Sequence, residues 1–402
     1  MTNRELFHAT MSHENGDQLL HFELGFNVPY KTWYKEGMPR SVVPCSWAEL
    51  TPEENLYDHF NVTGMMFPKF ADQFMIPPME KKVLKDDGST IIFLDERGNK
   101  LMGVSDNEVY RDDGSTIGSP PTELDFAIKT PEDYMALRDR YTGHIKERVD
   151  FEWLKKYGKA FQEQPDFITH FWSHGPFSFL RELLGTENAM ILPYEEPDMI
   201  RMMLKDHLEV CKEVSVPIIE ACRPDCSFLW EDCCGSNGPF IAPSIFDELF
   251  APWYREWKDY CTSMGVKWVI LDTDGDPSPL VTRWYGNGID CMHPWEVNGV
   301  DMLRCAEEHP EYVMTGGIYK HMFEPCSLSQ VGRFNTTDVH EAIDQELERV
   351  VAPMRKRGGY TPSLDHWAFW GVHYNDYRYY SERLYDYGKA NQSLRDRSKA
   401  PV

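Results

Sequence analysis

The chain has 402 residues, enough for one large α/β barrel or for two or three smaller domains. Its 41 Lys and Arg against 65 Asp and Glu give a formal net charge of −24. That excludes non-specific binding to nucleic acid or to anionic membrane surfaces, because both need a basic face. The start of the chain, with Arg4, Glu5, His8, His13 and Glu14, lacks the apolar stretch of a signal peptide, and no apolar run is long enough to span a bilayer. A cytoplasmic protein is therefore expected. The 10 cysteines include no CxxC pair, which predicts buried thiols rather than a disulfide framework or a zinc ribbon.

Thr2 followed by Glu5, with Leu6, Phe7 and Met11 at helical spacing, predicts an amino-terminal helix. Thr51-Pro52 predicts another helix start. Lys81–Leu84, Thr90–Leu94 and Lys100–Val104, separated by Asp-Gly and Gly-Asn turns, predict a small antiparallel β insertion over about residues 80–120. The string Asp-Asp-Gly-Ser-Thr-Ile occurs in that region at Asp86–Ile91 and again at Asp112–Ile117. From about residue 125 strands and helices alternate. Apolar runs at Phe167–Trp172, Ser227–Trp230, Val266–Leu271, Gly288–Met292 and Glu311–Thr315, and a further run from Gly358, are each followed by loop or helix signals. Thr130, Pro197, Pro243, Thr337 and Asn375 mark helix starts. With no GxGxxG, P-loop or HExxH, this alternation predicts a (β/α)8 TIM-type barrel. Residues 1–125 form its helical cap and β insertion, and 126–402 its body, in one compact domain.

Five predicted strands end in polar residues: Ser173-His174, Glu231-Asp232, Asp272 with Asp274, His293, and Asp365-His366. A barrel gathers such ends at one mouth. Asp272 and Asp274 lie two apart, on one face of a strand, and paired carboxylates either bind a cation or share a proton. The same residues also suit turn chemistry at Asp274-Gly275-Asp276. Asp272, Asp274, His366 and Glu231 are the expected catalytic residues, and the same four the expected ligands of a catalytic zinc. His174, Trp172, Trp230, His293, Lys320, Asp365 and Trp370 are expected to bind substrate, the indoles favouring an apolar aromatic ligand.

The segments Phe228–Asp232 (FLWED), Gly238–Ser244 (GPFIAPS), Ile270–Gly275 (ILDTDG), His293–Glu296 (HPWE), Gly316–Lys320 (GGIYK) and Gly358–His366 (GGYTPSLDH) resemble the uroporphyrinogen decarboxylase superfamily over roughly residues 125–390. Thr32-Trp33 and Glu36–Pro39 are similar to a large branch of it. The resemblance implies a (β/α)8 barrel used either for decarboxylation or for cobalamin-linked methyl transfer. The arginine-rich motif of the decarboxylases would fall at Phe22–Trp33, where there is no arginine. The zinc motif His-x-Cys of thiol-methylating relatives falls on Asp272-x-Asp274, and their later Cys near Asp365-His366, so the resemblance implies an oxygen-rich site suited to an ether or alcohol oxygen. Ether-cleaving relatives have a Glu-x14-Glu-x20-His zinc pattern, and Glu108, Glu123 and His144 fit it as a second candidate set.

Three functions follow. The first is a methyltransferase moving a methyl group from a small substrate, such as a methoxylated aromatic, to methylcobalamin's corrinoid on a partner protein. The second is a decarboxylase of a substrate other than uroporphyrinogen, with Lys320 as the main cation. The third is a non-catalytic barrel that binds a tetrapyrrole or a partner. The expected cofactors are zinc and partner-borne methylcobalamin. The expected partners are the small methyl donor, the corrinoid protein and a second copy in a homodimer, with neither nucleic acid nor membrane.

Overall fold

The computed structural model describes residues 1–45, 48, 50, 53–67, 74–104, 121–325 and 333–388. Seven strands form one wholly parallel sheet: β1 (Met65–Met66), β2 (Ile168–His174), β3 (Cys226–Trp230), β4 (Trp268–Asp272), β5 (Cys291–His293), β6 (Val313–Ile318) and β7 (Tyr360–Leu364). They pair in chain order. Helical segments separate successive strands from β2 onward, as parallel pairing requires. At the sheet's edges, Thr63 N–H donates to His21 O (2.8 Å) and Glu23 N–H to Thr63 O (2.9 Å), while Phe22 N–H donates to Pro362 O (3.1 Å). Residues 21–23 thus bond to both edges.

Alternation sorts the side chains into two cores. Ile168, Cys226, Phe228, Trp268, Ile270, Cys291 and Val313 share the inner face with Leu6, Phe7 and Met11 of the helix Asn3–Met11. Phe171, Leu229, Val269, Leu271, Met292 and Met314 point outward into the larger core beneath the surrounding helices. The amino-terminal helix starts with the expected capping box, in which Thr2 and Glu5 bond reciprocally. Thr130 caps Pro131–Thr142 in the same way with Asp133. Asn55, not Thr51, caps the helix Leu56–Phe60; Thr51 and Pro52 lie outside the described residues.

Two other expectations need correction. The strand expected to stop at Gly316-Gly317 runs through both glycines to Ile318. Gly316 has φ +114°, and a Cβ there would sit 2.0 Å from Pro294 O. The glycines therefore serve a close backbone approach, sealed by the bond from Gly317 N–H to Pro294 O (2.8 Å). The insertion contains the three expected strands plus Thr122–Asp125, in an antiparallel sheet of four. The second copy of the repeated string lies outside the described residues. β1, within the segment expected to cap the barrel, belongs to the main sheet. No helix among the described residues is long and apolar enough to cross a membrane.

Asp225, just before β3, fastens the amino-terminal helix to the sheet. Its buried carboxylate accepts from Arg4 Nη2 (2.9 Å) and meets His8 Nε2 (2.9 Å). It also accepts from Thr169 N–H and Oγ1 (2.8 and 2.9 Å). Burial acts to raise its pKa, but His8, Arg4 and the Thr169 N–H together hold it below the ordinary value. A depressed carboxylate stabilises the fold above its unfolded pKa and loses that contribution as pH falls through the folded one. Asp225→Ala should therefore cost about 3 kcal/mol at pH 7 in urea unfolding, and the difference from the parent should shrink below about pH 4.

Candidate active site

At the carboxyl ends of the strands the inner face turns from apolar to polar and borders a cavity of about 540 Å³. Register explains its make-up. Asp272 pairs laterally with Trp230 on one side and His293 on the other, so three inward side chains stand in a row. Trp172 and Phe228 pair one step lower. The walls are Trp172, Trp230, Phe228, Phe67, Trp367 and Leu24; the polar lining is Asp232, Asp272, Asp274, His170, His293 and His366, with Pro294 beside them. No lysine or arginine occurs among the described lining residues.

Burial governs the charges. Asp272 accepts from or donates to His293 Nδ1 across 3.0 Å. Desolvation, and then the charge of Asp232, push the Asp272 pKa well above the ordinary carboxylate value. Desolvation pushes His293 down to about 3. Burial thus disfavours the charged form of each partner. Asp274 and His366 stand at the opening, 45% and 42% exposed, with Oδ2 and Nε2 3.9 Å apart. Desolvation, Asp272, Asp232 and Glu296 lift Asp274 to about 8, against the opposing charge of Lys320. Desolvation, Lys320 and His293 lower His366 to about 4. A neutral acid and a neutral base thus face each other at the mouth.

Of the residues expected from sequence, Asp272, Asp274, His366, Trp172, Trp230 and His293 border the cavity, whereas Glu231, His174, Lys320, Asp365 and Trp370 do not. Glu231 needs correction as a catalytic residue and a ligand. Its Oε1 accepts from Phe177 N–H (3.0 Å) and from the Tyr254 hydroxyl, and its Oε2 from Ser178 N–H (3.1 Å). It caps the helix Pro176–Leu184 from inside the wall, and Gly175 is small because a Cβ there would meet that carboxylate at 2.1 Å. His174 packs under Trp172 and Trp230, with ring centroids 4.4 and 5.2 Å away. Asp365 accepts from the backbone N–H groups of Lys320 (2.9 Å) and Val297 (3.1 Å), so it shapes the loops around the mouth.

Glu231 is used up as a cap, Asp272 is bound to His293, and no group of three or more His, Cys, Asp or Glu among the described residues is arranged to hold a metal. The four expected ligands do not fit zinc. In the second set, Glu123 accepts from Thr186 N–H (2.9 Å), His144 contacts Glu147 (3.3 Å), and Glu108 lies outside the described residues.

Asp232 and His170 were findable by the rule that located Asp272. Cys226, Phe228, Trp230 and position 232 share the inner face, which selects Asp232 over Glu231. His170, Trp172 and His174 alternate onto that face in β2.

Because the fold raises the pKa of Asp272, its contribution is most favourable below the unfolded pKa, near 4, and is lost as pH rises toward the folded value. Asp272→Asn keeps the shape and removes the charge. Its melting temperature should exceed the parent's at pH 8, and the gain should narrow on acidification to pH 4, as read by calorimetry.

The sequence matches no family model and no curated protein. The fold is similar to solved structures, among them a methyltransferase from Methanosarcina mazei, with a TM-score of 0.58 and 11% sequence identity over 96% of this chain and 99% of that one.

Proposed function

We propose that this protein transfers a methyl group from a small, uncharged, methoxylated aromatic substrate to a corrinoid carried by a partner protein, with Asp274 as the general acid. The observation that carries this reading is a cavity walled by indole and phenyl rings in which burial raises the pKa of Asp272 and Asp274, with no lysine or arginine among its described lining residues. A carboxylate substrate would meet three aspartates there and, among the described lining residues, no lysine or arginine, which disfavours decarboxylation. An apolar ring gains by stacking on Trp172 and Trp230. Breaking an O–CH3 bond leaves charge on the ether oxygen, and a positioned carboxylic acid neutralises it by proton donation. The corrinoid, when present, supplies the nucleophile that accepts the methyl group. The exposure of Asp274 and His366 leaves the mouth open to a partner-borne group. The bonds of residues 21–23 to both sheet edges support closure of the sheet into an eight-stranded (β/α)8 barrel, and likeness to the archaeal methyltransferase supports the choice of scaffold.

The test is to incubate the protein with 4-methoxyphenol and cob(I)alamin under anaerobic conditions and follow methylcobalamin by absorbance. Methylcobalamin formation supports the reading. Failure to form it, with carbon dioxide released instead from a panel of aromatic carboxylates, overturns it in favour of a decarboxylase.

A pH dependence follows. The acid must be protonated to act, so the methyl-transfer rate should hold across neutral pH and fall as pH rises through about 8. Asp274→Asn should lower kcat about a hundredfold and abolish that alkaline limb, as measured by initial rates from pH 6 to 10.

A further inference from the structure

We infer that His170 is a specificity residue that hydrogen-bonds a hydroxyl group on the inner end of the substrate, so that the ligand is a methoxylated phenol rather than a plain aryl ether. This rests on the reading of the cavity as a site for a methoxylated aromatic. His170 borders the cavity and is only 4% exposed, yet its buried Nδ1 meets no hydrogen-bond partner among the described residues. A buried polar atom without a partner costs about 1–3 kcal/mol, and native structures seldom leave one unused.

Among the described residues, rings surround the imidazole. Its ring lies against Phe228 and Phe67, with centroids 5.3 and 5.5 Å apart. Across Phe228 stands His293, whose Nε2 is also buried without a partner among the described residues. Desolvation holds both imidazoles uncharged near neutral pH. His170 therefore carries one donor and one acceptor, which suits a hydroxyl group, while His293 has one of its nitrogens engaged with Asp272.

Depth sets the orientation. His170 precedes Trp172 by two residues in β2, roughly 7 Å lower along the strand. A ring laid against the indole of Trp172 would put one substituent toward His170 and the opposite one toward Asp274 at the opening. The methyl group must leave through the mouth, so the methoxy end faces outward and the hydroxyl inward.

The experiment compares two ligands of nearly equal shape, 4-methoxyphenol and 4-methylanisole, by isothermal titration with the full chain. The parent protein should bind the phenol at least about tenfold more tightly. His170→Phe should abolish that preference chiefly by weakening the phenol, and His170→Asn should restore part of it. Equal binding of the two ligands by the parent overturns the inference even if the variants fail to fold, as does a preference that survives in a folded His170→Phe. The two proposals fail separately. A phenol preference without methylcobalamin formation removes the reaction and keeps the role of His170, whereas methylcobalamin formation without the preference does the reverse.

Discussion

The molecule depends on one geometric constraint, the two-residue alternation of side chains along strands held in parallel register. Each strand sends every second residue inward, and lateral pairing lines these residues up across neighbours. At the amino end the inward positions are Ile168, Cys226, Trp268 and Val313, sealed by Leu6, Phe7 and Met11. At the carboxyl end they are Trp172, Trp230, Asp272 and His293. A shift of one residue in β4 would point Asp272 at the outer helices and Leu271 into the cavity. Register therefore makes the site, and the Asp225 contacts that fasten the amino-terminal helix keep the inner face covered.

The cost of the site lies in burial. Asp272 and Asp274 are acids that the fold prefers uncharged, and His170, His174 and His293 are bases that it prefers uncharged. Desolvation is the largest cause in every case. A chain with a net charge of −24 has thus built a cavity in which burial disfavours the charged form of these groups. Each such group destabilises the folded state relative to an apolar residue of the same shape. Proton donation at neutral pH needs this kind of poised acid.

The strand–helix alternation, the helix caps at Thr2 and Thr130 and the polar strand ends were legible in the sequence, because propensity and periodicity are local. Two kinds of feature were not. Gly316-Gly317 reads as a stop, since a glycine pair usually breaks a strand, and only the nearness of Pro294 O explains why the strand continues. Glu231 reads as a site residue because it follows a strand. Its partners, the N–H groups of Phe177 and Ser178, lie more than fifty positions away and are set by packing. Asp232 and His170 fall between these cases. Alternation selects both, provided it is counted from the strand's interior and not from its last polar residue.

Asp272 and Asp274 illustrate what burial does to a group that could bind a metal. Thiolates and imidazoles in a buried pocket bind a metal because it stabilises the thiolate charge. Aspartates in the same dry setting have another outlet, which is to keep their protons. Asp272, its pKa raised by burial and its carboxyl group bonded to His293, is a poor ligand and a good partner for an imidazole. Asp274, two residues on and at the edge of the solvent, is pushed up by the same burial and by the charges of Asp272, Asp232 and Glu296. Activation of a thiol would gain nothing from such a group, whereas departure of an ether oxygen would. An oxygen-rich lining beside packed indoles, with no lysine or arginine among its described residues, is thus better suited to proton donation than to thiolate activation.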